Sequence, residues 1–323
     1  MTHPIQIPLP IPYAVGPVNS YLFLDPEPTL IDCGVKTDEC WQALGAGLAE
    51  YGLTIGDIRR VVITHAHVDH IGLAGKIIAH SQAKVWVSTL VEPWALHITD
   101  KWPSRIDFLV ETLRPFAFEK EHLSLLKQGM ARTTAMWDPV PVERLVTFGL
   151  TDTLELGGMP WQVIYAPGHC NNQTCFFQED TGQFLAADML LAVTPTPVIE
   201  EPLDGGTERE PGLPLFLDSL SNVDALAIDT VYPGHGPIFH DHHALVERQS
   251  TRIAERTEQC YELIAGGVGT FRSLLAAMYP ERSLADSFPA IGMLLGYIDL
   301  LEGGGLIKGH HQNSEIHYRV THT

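Results

Sequence analysis

The sequence Val61-Val62-Ile63-Thr64-His65-Ala66-His67-Val68-Asp69-His70 places three imidazoles and a carboxylate within six residues, directly after an apolar triplet. Imidazole and carboxylate groups at this density are typical ligands of zinc and its neighbours in the transition series. Successive side chains of a strand point to opposite faces, so a strand cannot direct all four groups to one ion. We therefore expect a buried strand over residues 61–63, followed by a loop whose side chains surround a metal. Surface histidines that cluster by chance are the weaker alternative.

In three later segments, a predicted strand is likewise followed by turn residues and a residue that can bind a metal. Turn residues at a strand end let the backbone deliver a side chain into a shared site, so we expect these segments to complete the metal site. They are His169 after Trp161–Ile164 and Pro167-Gly168, Asp188 after Phe184–Ala187, and His235 within Pro233-Gly234-His235-Gly236 after Thr230–Tyr232.

The composition is that of a folded, acidic chain. Hydrophobic residues make up 45% of the 323 residues and charged residues 18%, which predicts a sizeable core. The formal charge of -19 repels phosphate backbones and anionic membranes and argues against nucleic acid as a partner. Five cysteines, an odd number, do not predict a disulfide framework. Residues 1–16 do not resemble a secretory signal and no apolar run reaches ~20 residues, so we expect a cytoplasmic protein without membrane association.

Large apolar residues are spread through turn-poor sequence from Glu92 to Arg144, between segments that are richer in predicted strands. This distribution of apolar residues, with few turn residues, predicts a helical insertion. Two interpretations stay open and are compatible with each other. The helices pack on themselves, or they form a cap that shapes an apolar substrate pocket.

The pattern changes again beyond Asp241. The predicted order is helix, helix, helix and hairpin, which is the layout of a winged helix. We expect one domain over residues 1–240 and a winged-helix-like domain over residues 241–323. The predicted helices are His242–Ile264, Phe271–Met278 with Thr270 as its N-cap, and Phe288–Glu302, and the extended runs are Leu306–Lys308 and Ile316–Val320.

Taken together, these motifs resemble those of the metallo-β-lactamase-fold hydrolases. Order and spacing match from about Tyr13 to Gly236. The resemblance implies an α+β fold, an αββα sandwich that forms the catalytic domain and carries residues 92–144 as its insertion. The matching segments are the HxHxDH sequence of His65–His70, Pro167–His169, Ala187-Asp188, Pro233–Gly236 and the early turn Leu30–Gly34.

The resemblance also implies two divalent metal ions, with zinc preferred and iron or manganese as alternatives. Asp69 and Asp188 are the implied catalytic residues. Asp32 is expected either to orient a ligand imidazole or to cap its own turn. The implied ligands are His65, His67 and His169 for one ion, Asp69, His70 and His235 for the other, and Asp188 as the bridge between them.

A two-metal site implies a hydrolase in which a shared hydroxide attacks a carbonyl or phosphoryl group. Asp69 together with Asp188 is similar to the branch that contains glyoxalase II, lactonases and ribonuclease Z. True β-lactamases usually have cysteine at the position of Asp188, so antibiotic hydrolysis is not expected. A small-molecule thioester or ester is the leading substrate hypothesis. A lactonase, a phosphodiesterase or ribonuclease, and a non-enzymatic metal-binding scaffold are the alternatives.

The segment Tyr297–Ile307 resembles the end of the winged helix in the lactamase-β-like protein 2 group, whose members act on RNA or on carrier-bound acyl thioesters. Residues 287–302 contain Asp299 and Glu302 but no Lys or Arg, which argues against nucleic-acid recognition. We interpret the wing as a packing, homodimer or substrate-lid module. Two further sets are expected to be structural: solvated histidines at positions 240, 242, 243, 310 and 311, and small buried hydrophobes at Cys33, Cys170 and Cys175.

Overall fold

A computed structural model of the chain describes residues 3–198, 208–281, 288–312 and 315–321. Within these residues, the first sheet has its strands in sequence order, beginning antiparallel and becoming parallel from β3 onward. Two antiparallel strands of this sheet are joined across residues 25–28 as a hairpin, and the predicted buried strand before the histidine cluster is confirmed. The strands are β1 (Ile5–Leu9), β2 (Val18–Phe23), β3 (Thr29–Ile31), β4 (Arg60–Val62), β5 (Lys84–Ser88) and β6 (Leu145–Phe148).

The second sheet has the strand order β11-β10-β9-β8-β7. Its strands pair antiparallel except for β10 and β11, which are parallel and therefore end at the same edge. A hairpin across residues 179–182 joins β9 to β10. The strands are β7 (Thr153–Leu156), β8 (Met159–Tyr165), β9 (Thr174–Gln178), β10 (Gln183–Ala187) and β11 (Thr230–Pro233).

The two sheets pack face to face over an aromatic core. Phe23 from the first sheet meets Trp161 from the second edge to face, with ring centroids 5.7 Å apart. Helices α1 (Asp38–Ala49) and α3 (Ala74–Ala79) cover the outer face of the first sheet, and α6 (Gly212–Asp224) covers that of the second. The predicted αββα sandwich is confirmed.

The segment that contains the histidine cluster is not a loop throughout, in contrast to the expectation. A short helix α2 (Val68–Ile71) begins inside the histidine cluster, and α3 follows only after a break. The break arises because Leu73 N leaves the helical pattern and donates to Gly34 O at 3.1 Å. Asp69 and His70 therefore lie on one helical turn rather than on an irregular loop.

The insertion at residues 92–144 is helical, as predicted. Its helix α4 (Glu92–Leu113) buries one face that includes Ile98, Ile106 and Leu109, whereas α5 (Lys120–Arg132), described in full, buries no residue. Directly after α4 and still within the insertion, Phe116 stacks on Phe271 of the C-terminal part, with ring centroids 4.3 Å apart. The insertion thus packs on the rest of the protein and not on itself alone.

The C-terminal part contains three helices and a hairpin in the predicted order, and Thr270 caps the second helix by accepting from Ser273 N. These helices share one apolar core with α6 and the second sheet. A domain boundary at Asp241 and a winged-helix assignment stay predictions. The elements are α7 (His242–Ala265), α8 (Phe271–Met278), α9 (Phe288–Gly303), β12 (Ile307–Gln312) and β13 (Glu315–Val320). Across the described part of the chain, no helix combines the length and apolar character needed to cross a membrane.

Candidate metal centre

The seven predicted ligands come together at one edge of the sandwich. Each follows a strand end: β4 leads to the histidine cluster, β8 to His169, β10 to Asp188 and β11 to His235. The parallel pairing of β10 and β11 brings Asp188 and His235 side by side. A Cβ at Gly234 would overlap Asp188 Oδ1, so glycine at this motif position lets the two loops touch. We call the seven residues together the candidate metal centre: His65, His67, Asp69, His70, His169, Asp188 and His235.

Three imidazoles converge on one side of the centre. His67 Nδ1 lies 3.0 Å from His65 Nε2 and 2.9 Å from His169 Nε2. His65 is fully buried and His169 is 2% exposed, while His67 is partly exposed. One proton cannot bridge three nitrogens at once. Two nitrogens bound tetrahedrally to zinc at ~2.0–2.1 Å would lie about 3.3 Å apart, so the observed arrangement fits a metal ion at their centre.

Asp188 connects these imidazoles to a second group formed by Asp69, His70 and His235. Its Oδ2 lies 3.4 Å from His169 Nε2, 3.5 Å from His70 Nε2 and 3.6 Å from His235 Nε2. His235 Nε2 also lies 3.5 Å from Asp69 Oδ2. The position of Asp188 between both groups is the one that the resemblance implies for a bridging ligand.

Among the residues of the candidate metal centre, two buried polar atoms have no hydrogen-bond partner in the described part of the chain, as expected of atoms that bind a metal ion. They are His70 Nε2 and Asp188 Oδ1. An unsatisfied buried polar atom is costly to folding, and native proteins rarely contain one without a reason. The donor set of imidazoles and carboxylates therefore fits divalent metal binding, and the assignment of each residue as a ligand stays a prediction.

The far nitrogens of the ligand imidazoles are held by the protein. His169 Nδ1 donates to Pro197 O at 2.7 Å, and His235 Nδ1 donates to Pro17 O at 3.0 Å. His70 Nδ1 lies 2.7 Å from Asp32 Oδ2. Such outer hydrogen bonds fix the tautomer and direct the free nitrogen toward the metal.

Of the two roles expected for Asp32, the structure shows the contact with a predicted ligand imidazole, and the carboxylate reaches the histidine segment instead of its own turn. Besides His70, its carboxylate accepts from Thr64 N at 2.9 Å and from Thr64 Oγ1 at 2.8 Å, and so caps the start of the histidine segment. Its backbone is left-handed, with φ of 58°. A non-glycine residue held in this conformation is a strained position of the kind that clusters at functional sites.

The charges of the centre are balanced between its two sides. Burial lowers the pKa of His65, His67 and His169, so these imidazoles are neutral in the folded chain. Burial opposes charge on His235 as well, but Asp188 and Asp69 outweigh it and raise its pKa to about 10. In the metal-free protein, the proton on His235 therefore compensates the charge of Asp188 and Asp69, which a metal ion would otherwise neutralise.

The two carboxylates of the centre are ionised. Burial raises the pKa of Asp69, yet the hydrogen bond and charge of His235 and the charge of His70 outweigh it and lower the pKa to about 2. The neighbouring imidazoles lower the pKa of Asp188 in the same way. Carboxylates that stay ionised at neutral pH are available to bind cations.

Three residues near the centre escaped the sequence reasoning. Asn172 Oδ1 accepts from Ala66 N at 2.9 Å and thereby fixes the histidine segment, and its place in the turn sequence that follows the Pro-Gly-His motif after Cys170 and Asn171 was an available signal. Tyr13 lies close enough to Asp69 for the carboxylate, together with burial, to raise the phenol pKa to about 12. Arg105, a cation that is 4% exposed on α4, acts electrostatically on His67. No local motif marks Tyr13 or Arg105.

One of the histidines predicted on the surface is buried, and that prediction is wrong for it. His242 is 2% exposed because, as the first residue of α7, its ring stacks with that of His243 at 3.9 Å against the end of α6. His243 Nδ1 lies 2.7 Å from Asp224 Oδ1 at the exposed side of this group. Cys33, Cys170 and Cys175 are buried free thiols, as expected.

Comparison with known proteins agrees with this geometry. The family model described as "Metallo-beta-lactamase superfamily" matches residues 13–235. The chain is 28% identical over 322 residues to the "Probable metallo-hydrolase YqjP" of Bacillus subtilis (strain 168), covering 98% of this chain and 97% of that protein.

Two solved structures have the same fold along nearly the whole chain. The metallo-beta-lactamase family protein TTHA1429 from Thermus thermophilus is 24% identical, with a TM-score of 0.81 and 98% of each chain covered. A beta-lactamase domain protein from Burkholderia ambifaria is 20% identical, with a TM-score of 0.82, covering 99% of this chain and 93% of that one. The chain thus belongs to the metallo-beta-lactamase superfamily, as a metallo-hydrolase with its histidine and aspartate cluster at the strand ends.

Proposed function

We propose that this metallo-hydrolase binds two divalent ions and hydrolyses a carboxylic thioester or ester. The observation that carries the proposal is the placement of Asp188 within 3.4–3.6 Å of His169, His70 and His235, between two groups of converging ligands. His65, His67 and His169 would hold one ion, and Asp69, His70 and His235 the other. Zinc suits this set of ligands, and iron and manganese are the alternatives.

When bound, a pair of such ions lowers the pKa of water toward neutrality and polarises a substrate oxygen. The residues of the chain supply the remainder of the chemistry. Asp32, Pro197 O and Pro17 O hold the ligand imidazoles in place, so no reorganisation is required during turnover.

Asp69 is placed to handle protons. The Asp69 carboxylate, with its pKa lowered to about 2, is an acceptor at neutral pH, and its Oδ2 lies 3.5 Å from His235 Nε2. The Tyr13 phenol, whose pKa is raised to about 12 by burial and by the Asp69 charge, keeps its proton, and its hydroxyl donates to Met136 Sδ at 3.5 Å. A carboxylate acceptor among the predicted ligands suits acyl transfer to water.

The surroundings favour a carbonyl substrate over a phosphodiester. The chain carries a formal charge of -19, which disfavours a phosphodiester substrate. Arg209, a cation near the C-terminal part, forms an ion pair with Asp299 of α9. Asp299 therefore takes part in packing α9 against the segment before α6, which supports a packing or lid role for the C-terminal part. Helix α4 is near the centre at Arg105, which acts electrostatically on His67, and the remainder of the insertion is rich in apolar side chains of the kind that line an acyl-binding pocket. A curated relative named "Atrochrysone carboxyl ACP thioesterase AacuM", 24% identical over 103 residues, points in the same direction.

A lactone is the second candidate substrate, because the same centre would act on the carbonyl of a cyclic ester. The test is a hydrolysis screen of zinc-, iron- and manganese-loaded protein with an acyl thioester, a lactone, bis-p-nitrophenyl phosphate and nitrocefin. We expect turnover of the thioester or ester to exceed that of the other compounds, and Asp188→Ala to abolish it. Preference for the phosphodiester or for nitrocefin would contradict the proposal.

A further inference from the structure

Outside the candidate metal centre, one group of histidine and carboxylate side chains converges in the described part of the chain. It consists of Asp224, the last residue of α6, and of His242 and His243, the first two residues of α7. One ligand atom from each of these side chains lies within 4.8 Å of the other two. Ligands bound to a tetrahedral zinc ion lie about 3.3–3.6 Å apart, so small side-chain shifts would let one ion contact all three. We call the three residues the α6–α7 cluster.

The α6–α7 cluster lies at the opposite end of β11 from the candidate metal centre. His235 follows the end of β11, and the chain then turns back along this strand, since Val231 N donates to Phe239 O at 2.8 Å. His240 Nδ1 donates to Asp229 O, directly before the first residue of β11, at 3.1 Å. Helix α7 begins two residues later. The four residues of β11 span about 13 Å, so an ion in the cluster would be separate from the centre.

Apolar packing beside the cluster holds the two helices together. Val223 of α6 is fully buried, and Leu245 and Val246 of α7 are buried in the same apolar core. His242 is only 2% exposed although its side chain is polar. Its Nε2 is buried and has no hydrogen-bond partner among the described residues. Native proteins rarely leave such an atom unsatisfied, and a bound ion is one of the arrangements that explain it.

The other two side chains of the cluster can adjust to an ion. His243 Nδ1 and Asp224 Oδ1 lie 2.7 Å apart, and their side chains are 66% and 42% exposed. A metal ion would replace the proton of this hydrogen bond and would require the two atoms to separate by only about 0.6 Å. The C-terminal end of α6 carries partial negative charge, which favours a cation. The positive end of α7 is offset by its N-cap Asp241, which accepts from Ala244 N at 3.0 Å.

We propose that the α6–α7 cluster is a separate metal site that binds one zinc ion, or a related transition-metal ion, through Asp224, His242 and His243. Two imidazoles and one carboxylate suit zinc and its neighbours, whereas calcium and magnesium prefer oxygen ligands alone. Water completes the coordination on the exposed side of His243. The ion joins the end of α6 to the start of α7 and binds only the folded chain, so its role is to stabilise the packing of these two helices.

The variant His243→Ala tests the site with a matched control. His243 is exposed, so this substitution removes one ligand without opening the apolar core. His80→Ala removes another exposed histidine, at the end of α3, that belongs neither to the cluster nor to the candidate metal centre. Each protein is loaded with zinc and passed through gel filtration. Elemental analysis then gives the zinc content, and calorimetric titration of metal-free protein gives the affinities.

We expect the unchanged protein and His80→Ala to bind one zinc ion that His243→Ala loses or binds at least tenfold more weakly. Anomalous diffraction at the zinc edge should show a peak in contact with Asp224, His242 and His243, apart from any peak at the candidate metal centre. Equal zinc content and affinity in His243→Ala and His80→Ala, or no peak at the cluster, would overturn the inference.

This inference does not rest on the proposed function, and one further variant separates the two. Asp188→Ala is expected to empty the candidate metal centre, so zinc that it still binds reports on the cluster. That remaining ion should be lost when His243→Ala is added to Asp188→Ala, whereas His243→Ala alone should leave turnover unchanged. Zinc binding by Asp188→Ala that is absent, or that does not depend on His243, would overturn the inference whatever the substrate of the centre.

Discussion

At the candidate metal centre every side chain is delivered by a strand end and most are held by a second hydrogen bond, whereas the insertion at residues 92–144 is held mainly by one apolar helix face. His169 and His235 each donate to a backbone carbonyl, and His70 contacts Asp32. In the insertion, α4 packs through its buried side while α5 buries no residue within its described length. Hydrogen bonds fix the position of an individual side chain, whereas apolar packing fixes only how one helix face lies against its neighbours.

This difference separates the two parts of the function. The centre determines the type of chemistry and tolerates little displacement, because ligand distances allow only about ±0.2 Å. The insertion is the part of the chain for which a role in shaping the substrate pocket was predicted, and its exposed helix α5 is expected to tolerate change. We therefore expect substitutions at the centre to abolish metal binding, and substitutions in the insertion to alter stability or substrate preference by graded amounts.

The largest effect is expected for Asp188→Ala, which removes the carboxylate shared by both groups of ligands. Loss of an outer-sphere partner already costs 10–100-fold in metal affinity or activity, so loss of the shared ligand should cost more than about 100-fold. Metal content by elemental analysis and turnover should fall together. Asp180→Ala, at an exposed position in the β9–β10 turn, is the control. Retention of both ions and activity in Asp188→Ala would show that the bridge assignment is wrong.

A second test adds a single methyl group at the centre. Gly234→Ala would place a Cβ against Asp188 Oδ1 and must displace either the carboxylate or the loop. We expect at least a tenfold loss of metal affinity, measured by chelator competition. Gly45→Ala in α1 meets no neighbouring atom and should instead stabilise the fold by up to ~1 kcal/mol. Equal metal affinity in the two variants would mean that the loop contact does not position Asp188.

The insertion should respond according to burial alone. Leu113→Ala at the end of α4 removes a side chain that is 3% exposed and should destabilise the protein by about 2–5 kcal/mol. Leu125→Ala on α5, at 65% exposure, should change the free energy of unfolding by less than ~0.5 kcal/mol. Chemical denaturation measures both. Similar losses at the two positions would show that α5 is anchored as firmly as α4.

The smallest effect is a pH dependence confined to the centre. In metal-free protein the lowered pKa of His65, His67 and His169 means that stability falls as pH drops below their ordinary value of 6.5. The raised pKa of His235, about 10, contributes stability that is present below 6.5 and lost as pH rises toward 10. The melting temperature with EDTA should therefore be highest near pH 6.5.

Zinc should remove the alkaline decline, because metal binding replaces protons on the ligand imidazoles and strengthens as pH rises. Melting curves with EDTA and with zinc from pH 5 to pH 9 make the comparison. A metal-free melting temperature that keeps rising from pH 6.5 to pH 9 would contradict the assigned charges of the centre.

The same difference explains what the sequence could predict. The strands before His65, His169, Asp188 and His235, and the meeting of these residues, follow from local signals, since each motif combines an apolar run with a turn. The sandwich and the helical insertion were likewise predictable from periodicity and resemblance. The interruption of the helix at Gly72 and Leu73 could not be predicted, because it depends on a hydrogen bond to Gly34 that no local pattern reveals.

Long-range packing accounts for the remaining misses. Arg105 reaches the centre from α4, and Tyr13 from the segment before β2, at sequence distances where a single sequence carries no signal. His242 was expected in solvent because its neighbours in sequence are polar, yet α6 covers it.

The most direct test is crystallographic: anomalous diffraction from crystals grown with zinc, recorded on both sides of the zinc absorption edge. The account predicts two peaks about 3.5–4 Å apart. One should lie among His65, His67 and His169, the other among Asp69, His70 and His235, with Asp188 in contact with both. A single peak at the centre, or a peak at Asp224 and His243 with none at the centre, would contradict the two-metal assignment.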